Sequence, residues 1–496
     1  MEWIISLTPE AAAEPLAALA APPEGAAIVE LRADLFPDLE LHPAIDACPL
    51  PVMVTLRSTA EGGRGPDDPT LRRQILTAAR DAGAALIDLE YRRDAHLADE
   101  LGLAPEQSVL SWHDAAGTPD DLAQTADEML HSQARWIKIV PTARSTADLA
   151  TVLALHQRLN QRPRGQRRLM AFAMGVAGIA SRYLAPLLGP PIGYAAWRRG
   201  AAAAPGQLTI ADTERVMGHL DGPPQRLYGV IGSDVSGSLS PAMHGAAYRA
   251  LSLPYLMLPI SVPDLDGLSG FFVPRGSTLF DAVGLEAWGW AVTSPYKRQA
   301  AASADRHAPR VLRAGAANTL LLAEHGVTAE NTDADGIVGS LVHLGVDPAG
   351  MTALVAGTGG AARGAAVGLY LAGAEVALRG REAQRTLRIA DEIDVHGLAP
   401  GDDMVGAAVL VNATPLGSRP DDASPFNAAE IEAADVVVDM VYANHETTLV
   451  RLAREAGVAH VDGRVVLLHQ GIAQFAAFTQ TVPPKDVMHS ALDTAV

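Results

Sequence analysis

Two sets of side chains in this sequence have types and spacings that could do chemistry. The first is spread over the N-terminal two hundred residues, where polar residues fall at the ends of short apolar runs. It comprises Glu30 and Arg32, Arg57, Glu90, His113, Lys138, Arg182 and Gln207. Each alone has an ordinary explanation. Lys138, in WIKIV, can be an edge-strand lysine reaching to water, His113 a loop histidine beside Asp114, and Glu90 a partner for Arg92. Together they place an amine, an imidazole, carboxylates and guanidinium groups at one mouth. A lysine flanked by apolar residues and other cations has its pKa pushed down, so its neutral amine can attack a ketone. The resulting iminium withdraws electrons from the neighbouring carbon. A histidine can then take the adjacent proton and later protonate a leaving hydroxyl. A glutamate orients the imidazole, and arginines hold a carboxylate. The reaction class is β-elimination of water from a hydroxy-ketone acid.

The second set surrounds a glycine turn. The apolar run Ala353–Ala356 ends in Gly357-x-Gly359-x-x-Ala362, a helical pattern follows, and a second strand is expected at Glu375–Leu378. A strand, a tight glycine turn and a helix with free N–H groups suit the pyrophosphate of a dinucleotide. A cofactor with a free 2′-hydroxyl wants Asp or Glu at the end of the second strand. This chain has Arg379, Gly380, Arg381 and, one turn on, Arg385. Guanidinium groups suit a phosphate, which points to NADP rather than NAD. Ahead of the turn stand Lys297, Asn318 and Asp333. A lysine and an aspartate in one hydrogen-bond network can pass a proton to a developing alkoxide while hydride arrives from a nicotinamide. Serines 236, 238 and 240 cluster before a helix; they suit a small polyhydroxy acid, or simply cap that helix. VNATPLGS (Val411–Ser418) can close over the cofactor, and Gln470 lies in an otherwise apolar stretch.

The elements that must position these groups follow from periodicity. Eight apolar runs, from Trp3–Ser6 to Ile192–Ala196, alternate with helical spacings such as Leu71–Ala82, Asp120–Gln133 and Thr146–Asn160. That alternation predicts an α/β protein beginning with a (β/α)8 barrel, whose chemistry sits where strands end. Thr118-Pro119-Asp120-Asp121 predicts a capped helix start. Asp221–Gln225 is a short linker, after which a new strand, Tyr228–Gly232, opens the second half. The chain of 496 residues is 48% hydrophobic, enough for about three domains with sizeable cores. Aromatics make up only 5%, so the cores are expected to rest on small aliphatic side chains. A formal charge of −19 argues against a nucleic-acid partner. Cys48 is the single cysteine, so no disulfide framework or cysteine metal site is expected. No signal peptide, membrane span or metal site is expected, and a reducing cytoplasm fits.

The motifs resemble two known families in tandem. ELRAD (Glu30–Asp34), TLRSTAEGG (Thr55–Gly63), IDLE (Ile87–Glu90), SWHD with TP (Ser111–Pro119), WIKIV, MGVAGIASR (Met174–Arg182) and APGQ (Ala204–Gln207) resemble the type I 3-dehydroquinate dehydratases. The resemblance implies that Lys138 forms the Schiff base, His113 is the general acid/base and Glu90 its partner. Glu30, Arg32, Arg57, Arg182 and Gln207 would then bind substrate. Where that family has a serine in the final motif, this chain has Ala203. Residues 226–490 resemble shikimate dehydrogenase through GWAVTSPYK, GAANTL, NTDADG, the glycine turn, VNATPLGS, DMVYANHETTL and DGRVVLLHQGIAQF. Carried across, Lys297 and Asp333 are the catalytic pair. Ser238, Ser240, Thr293, Asn318, Tyr442 and Gln470 contact shikimate. Gly357, Gly359, Gly360, Ala361, Arg381 and Arg385 hold NADP, with Asn412 and Thr414 lining it. Four positions depart from that family's pattern: Asp234, Gly237, Ala291 and Gly380. The resemblance implies a barrel over 1–221, a shikimate-binding domain from 226–335 and 445–496, and a Rossmann NADP-binding domain over 336–444. The substrates implied are 3-dehydroquinate, 3-dehydroshikimate and shikimate, on consecutive steps toward the aromatic amino acids. Competing readings are a quinate dehydrogenase with an impaired barrel, and a metabolite sensor without turnover. Oligomeric state and domain orientation are not readable from the sequence.

Overall fold

The structure, a computed structural model, describes residues 1–399, 402 and 404–494. Eight parallel strands build the N-terminal unit: β1 (Glu2–Leu7), β2 (Ile28–Arg32), β3 (Val52–Thr55), β4 (Leu86–Glu90), β5 (Ser108–Asp114), β6 (Trp136–Pro141), β7 (Leu169–Ala171) and β8 (Ile192–Ala196). Each coincides with one of the apolar runs, because a parallel strand covered on both faces must be apolar nearly throughout. Helices return the chain between strands. Asp68 caps Pro69–Asp81 by accepting from the Thr70 and Leu71 N–H groups, and Ser145 with Asp148 forms a capping box for Thr146–Leu159. The expected cap at Thr118 is not made. That helix runs Leu122–Leu130, and the Thr118 hydroxyl instead donates to the Thr142 carbonyl, 3.1 Å.

Strand pleat decides what the barrel encloses. Ile4, Ile28, Met53, Leu86, Val109, Trp136, Met170 and Ile192 form one apolar cluster, a floor with one residue from each strand. Two residues further along each strand, on the same face, come Ser6, Glu30, Thr55, Asp88, Ser111, Lys138, Phe172 and Tyr194. The polar mouth therefore begins one pleat above the floor. The ladder is one step short of the closed barrel the alternation predicts. Its order is β7-β6-β5-β4-β3-β2-β1-β8, and no ladder joins β7 to β8 among the described residues.

After the linker a six-stranded mixed sheet is ordered β10-β9-β11-β13-β14-β12. Its strands are β9 (Arg226–Gly232), β10 (Tyr255–Ser261), β11 (Ala287–Val292), β12 (Arg306–His307), β13 (Thr319–Ala323) and β14 (Gly326–Glu330). A third sheet is wholly parallel, ordered β17-β16-β15-β18-β19-β20. It contains β15 (Thr352–Ala356), β16 (Glu375–Arg379), β17 (His396–Leu398), β18 (Val409–Asn412), β19 (Val436–Asp439) and β20 (Ala459–Val461). The order reverses between β15 and β18, the switch point where open α/β sheets bind ligands. The expected return to the substrate domain at residue 445 is corrected. Helix Thr448–Glu455 and β20 still belong to the third sheet, and the return is helix Gly463–Thr479. That helix packs along Asp333–His343, the helix that leads out of the second sheet.

The sequence left the barrel's orientation open. One apolar cluster settles it: Leu149, Leu153 and Leu184 of barrel helices pack with Leu256, Leu258 and Ile260 of β10. The two halves thus share a core. Small side chains carry the nucleotide unit, as composition predicts: Ala362, Ala365 and Ala366 of helix Gly360–Leu371 pack against Ala353 and Val355 of β15. Among the described residues no helix is long and apolar enough to cross a membrane.

Two candidate active sites

At the barrel mouth, Lys138 Nζ lies 3.6 Å from Glu30 Oε1 and 3.7 Å from Asp88 Oδ2. Burial pushes its pKa below the ordinary 10.5, while Glu30 and Asp88 pull it back and Arg57 and Arg32 add to the lowering. Burial also disfavours the Glu30 carboxylate. The charges of Lys138 and Arg32 and a hydrogen bond from Ser6 overcome it and hold Glu30 at about 2. Arg57 Nη2 grips both oxygens of Asp88 at 3.0 Å, and its Nη1 reaches Glu61 at 3.0 Å and Ser111 at 2.9 Å. Arg32 forks onto Asp34, 2.8 Å to each oxygen. Gln207 Nε2 donates to Ser6 Oγ, 3.2 Å, and its Oε1 accepts the Ala203 N–H, 2.7 Å. Arg182 donates to the Pro205 carbonyl, 3.0 Å, and burial pushes its pKa down to about 10. Arg182 and Arg32 both act electrostatically on His113, so the structure gathers these groups around one centre.

One expected pairing is corrected. Glu90 does not hold His113. His113 Nδ1 and its backbone N–H both meet Glu61 Oε2, each at 3.0 Å. Burial lowers the imidazole pKa well below 6.5 and raises the Glu61 carboxyl to about 8. Glu90 Oε1 accepts the Ser58 N–H at 2.7 Å, and its other oxygen lies 3.3 Å from Arg72. It braces the loop after β3. The reason is local. Glu61 ends the short 3-10 turn Thr59–Glu61, Gly62 takes a left-handed conformation with φ 83°, and the chain folds back on Arg57. A Cβ at Gly63 would meet the Arg57 carbonyl oxygen at 2.3 Å, so this close return needs glycine. The signal was present as Arg57-x-x-x-Glu61-Gly62-Gly63. Asp88 was missed too, two residues before Glu90 on the same strand face.

A second site is a cleft of about 330 Å³ between the two lobes of the C-terminal half. Ser238, Ser240, Thr293, Lys297, Asn318, Asp333, Tyr442 and Gln470 line it, together with Ala361 and Thr414. Lys297 Nζ donates to Asp333 Oδ2 at 2.5 Å. Asn318 Nδ2 donates to the other Asp333 oxygen, 2.9 Å, and to Gln470 Oε1, 3.2 Å, while its Oδ1 accepts the Thr332 N–H at 2.7 Å. Two glycines of helix Gly360–Leu371 make the approach possible. A Cβ at Gly360 would lie 2.7 Å from Lys297 Cβ, and one at Gly364 3.0 Å from Asp333 Cβ. Ser240 opens the helix Ser240–Ala250 but does not cap it; the cap position is Leu239. Sequence reasoning missed Gln474, which also lines the cleft. It is 1% exposed, donates to Thr319 Oγ1 at 2.8 Å and keeps Oε1 without a partner among the described residues. Its signal is the one-turn spacing from Gln470 on the same helix. Three of the four departures line this cleft: Asp234, Gly237 and Ala291. A Cβ at Gly237 would meet nothing within 4 Å, so that position is open space.

The fourth, Gly380, follows β16 and packs beside the glycine turn. Gly357 has φ 126° and its missing Cβ would stand 2.7 Å from the Ala413 carbonyl, while a Cβ at Gly359 would meet nothing within 4 Å. The helix N-terminus is therefore open to a phosphate. Arg381, just after β16, and Arg385, in the helix Ala383–Glu392, are exposed and make no hydrogen bond or ion pair among the described residues. Arg379 points elsewhere, clamped on Glu430 at 2.6 and 3.1 Å. Gly380 is explained by its neighbours. A Cβ there would lie 2.5 Å from Thr358 Cγ2 and 2.6 Å from Thr386 Oγ1, so Thr358 occupies the room a larger residue would need. Asn412 is corrected. It is fully buried, donates to Asp439 at 2.9 Å and to the Leu416 carbonyl at 2.8 Å, and accepts from Thr414. It holds the loop that presents Thr414 rather than lining the cofactor. Two exposed guanidinium groups beside an open helix N-terminus fit NADP.

A barrel with a buried amine at its mouth, followed by a two-lobed nucleotide-binding unit, defines a fused lyase and dehydrogenase. Comparisons with known proteins agree. The family model described as type I 3-dehydroquinase matches residues 4–222, and that of the shikimate dehydrogenase substrate binding domain matches 230–320. The chain is similar to the bifunctional 3-dehydroquinate dehydratase/shikimate dehydrogenase of Arabidopsis thaliana, named as chloroplastic, with 29% identity over 93% of this chain and 79% of that one. It is 38% identical to the NADP(+) shikimate dehydrogenase of Rubrobacter xylanophilus, over 54% of this chain and 95% of the relative. The solved shikimate 5-dehydrogenase of Thermus thermophilus, in complex with NADP(H) and shikimate, matches with TM-score 0.50 and 33% identity, over 55% of this chain and all of that one. The chain belongs to the bifunctional type I 3-dehydroquinase/shikimate dehydrogenase family.

Proposed function

We propose that the barrel mouth dehydrates 3-dehydroquinate through a Schiff base on Lys138, and that the cleft reduces the product, 3-dehydroshikimate, to shikimate. The observation that carries this reading is the pairing of two distinct lysine settings in one chain. Lys138 is buried, which lowers its pKa against the pull of Glu30 and Asp88, and Lys297 is bonded to Asp333 at 2.5 Å beside the glycine turn. In the barrel, the neutral amine of Lys138 attacks the ketone and expels water. His113, held through Nδ1 by Glu61, takes the adjacent proton and returns it to the departing hydroxyl. Arg182 and Gln207 hold the substrate's carboxylate side, with Arg32, Arg57 and Glu30 fixing the remainder. In the cleft, Ser238, Ser240 and Tyr442 bind the acid, and Thr293, Asn318 and Gln470 orient its hydroxyls. Lys297 and Asp333 deliver a proton to the alkoxide oxygen. NADPH would supply the hydride when bound; Gly357, Gly359, Gly360, Ala361, Thr414, Arg381 and Arg385 would hold it.

A coupled assay from 3-dehydroquinate to shikimate, with NADPH and then NADH, tests this. Turnover with a clear NADPH preference is expected; binding without turnover would turn the reading toward a sensor. The open space beside Gly237 favours a second reading for the cleft, oxidation of quinate, whose extra hydroxyl needs room and a partner. Comparing kcat/KM for shikimate and quinate separates the two. Cys48 as the single cysteine suits a reducing compartment, and we assign the cytoplasm, to be checked by fractionation.

A further inference from the structure

Of the eight side chains one pleat above the barrel floor, six are polar and two, Phe172 and Tyr194, are aromatic. These two flank the seam where β7 and β8 share no ladder, with ring centroids 5.9 Å apart. Their contact bridges that seam. Tyr194 also meets the reacting amine, for Lys138 Nζ lies 4.0 Å from the centre of its ring. The phenol hydroxyl has little to do: its only hydrogen-bond partner among the described residues is Met53 Sδ at 4.0 Å, and burial keeps it protonated. What Lys138 meets is therefore the π face. The two nearby carboxylates are already engaged. Glu30 takes the Ser6 and Thr55 hydroxyls at 2.5 and 3.0 Å, and Asp88 takes the Arg57 fork and Ser111.

We propose that Tyr194 is a positioning residue for the dehydration, its ring face holding the positive charge of Lys138 first as ammonium and then as the iminium formed with substrate. The inference rests on the Schiff-base reading of Lys138. A ring face attracts a cation through its quadrupole, most strongly when both are desolvated. Lys138 is 6% exposed, so water offers little competition. The charge stays on one atom. The amine nitrogen bonds to the ketone carbon, the carbonyl oxygen leaves as water, and the C=N⁺ nitrogen is still tethered by the same side chain. When His113 takes the neighbouring proton, the C–H electron pair moves to form the neutral enamine. When the enamine expels hydroxide, protonated by His113, the cation returns. The ring thus favours the two charged states that flank the enamine and offers nothing to the enamine itself.

Fluorination tests this without changing shape. Phenylalanine, 4-fluoro-, 3,5-difluoro- and pentafluorophenylalanine placed at position 194 of the full chain weaken the quadrupole stepwise. Tyr194→Phe keeps the ring and is expected to stay within about twofold of the parent, with dehydration kcat then falling stepwise to roughly tenfold lower at the pentafluoro ring. The borohydride-trapped fraction of Lys138 is expected to fall in the same order. The acidic limb of dehydration kcat/KM should move to lower pH, because the ammonium loses support while Glu30, Asp88, Arg57 and Arg32 stay in place. NADPH-dependent reduction should not change. A flat series in a chain whose Lys138 is still trapped overturns the role of Tyr194 alone. Full loss already in Tyr194→Phe overturns it too, by assigning the effect to the hydroxyl. A parent enzyme with no trapped adduct overturns the Schiff base and this inference together.

Discussion

In the barrel mouth, Lys138 is shut in by eight strands, with two carboxylates within 4 Å and an aromatic face above the floor. In the cleft, Lys297 touches one carboxylate and faces a gap between two lobes. The settings suit two ways of changing a ketone. A lysine that must become part of the substrate needs an uncharged nitrogen, which burial supplies. A lysine that only passes a proton needs a partner and an open side through which a cofactor can enter. The chain has three lysines, Lys138, Lys297 and Lys485, against 38 Lys and Arg in all. Arginine, which does not deprotonate in proteins, is the cation nearly everywhere else. In the proposed reading, lysine stands at both places where a proton must be given up.

The largest expected effect breaks one half of this comparison alone. Lys138→Ala should lower dehydration by about 10⁴-fold or more, since the covalent route is lost, and leave ketone reduction unchanged. Loss of both activities in separate assays would contradict independent sites. Asp333→Asn should do the reverse, lowering reduction by about 10²- to 10⁴-fold through loss of proton transfer while dehydration persists. The two carboxylates near His113 sharpen the barrel side. Glu61→Gln should lower dehydration kcat by roughly 10- to 100-fold with little change in Tm, the size typical of a group that orients a reacting histidine. Glu90→Ala should instead act on stability, at a cost of about 3–5 kcal/mol, by leaving Arg72 and Arg57 short of a buried partner. Urea melts and initial rates on the same samples separate the two. Arg381→Ala should have a smaller effect, raising KM for NADPH about tenfold while hardly altering KM for NADH.

The pH dependence should differ as well. Glu30 ionises near 2 when folded rather than near 4.5, so its contribution to stability is complete above pH 4.5 and is lost as pH falls toward 2. Glu61 behaves oppositely. Its folded pKa of about 8 exceeds 4.5, so stability from this group is greatest below 4.5 and declines as pH rises toward 8. Thermal melts of the Glu30→Gln and Glu61→Gln variants across that range would show the acid-side loss vanish in the first and the alkaline-side loss vanish in the second.

Periodicity made most of the fold readable, because strands buried on both faces and alanine-rich helices leave direct traces in the sequence. The cleft was readable for a related reason. Lys297, Asn318 and Asp333 stand next to turns and helix starts that the sequence marks. The barrel mouth was only partly readable. Glu90 ends its strand at the correct height, yet height does not say which carboxylate the histidine meets. That depended on the left-handed turn at Gly62, which carries Glu61 back across the mouth. Nor did pattern reveal that β7 and β8 stay unladdered, because closure depends on shear and stagger, which no single strand encodes. Asn412 looked like a cofactor ligand for a similar reason: its motif follows a strand end, but its hydrogen bonds are spent inside the loop. The interface between the halves was invisible, since Leu184 and Leu258 look like any core leucines until both are placed.

The most direct test is reduction with borohydride during turnover of 3-dehydroquinate, followed by peptide mass mapping. With three lysines in the chain, the adduct can be assigned without ambiguity. The account predicts a substrate-derived mass on the peptide carrying Lys138 and on neither of the other two. An adduct on Lys297 or Lys485, or full dehydration turnover with Lys138 unmodified, would contradict it.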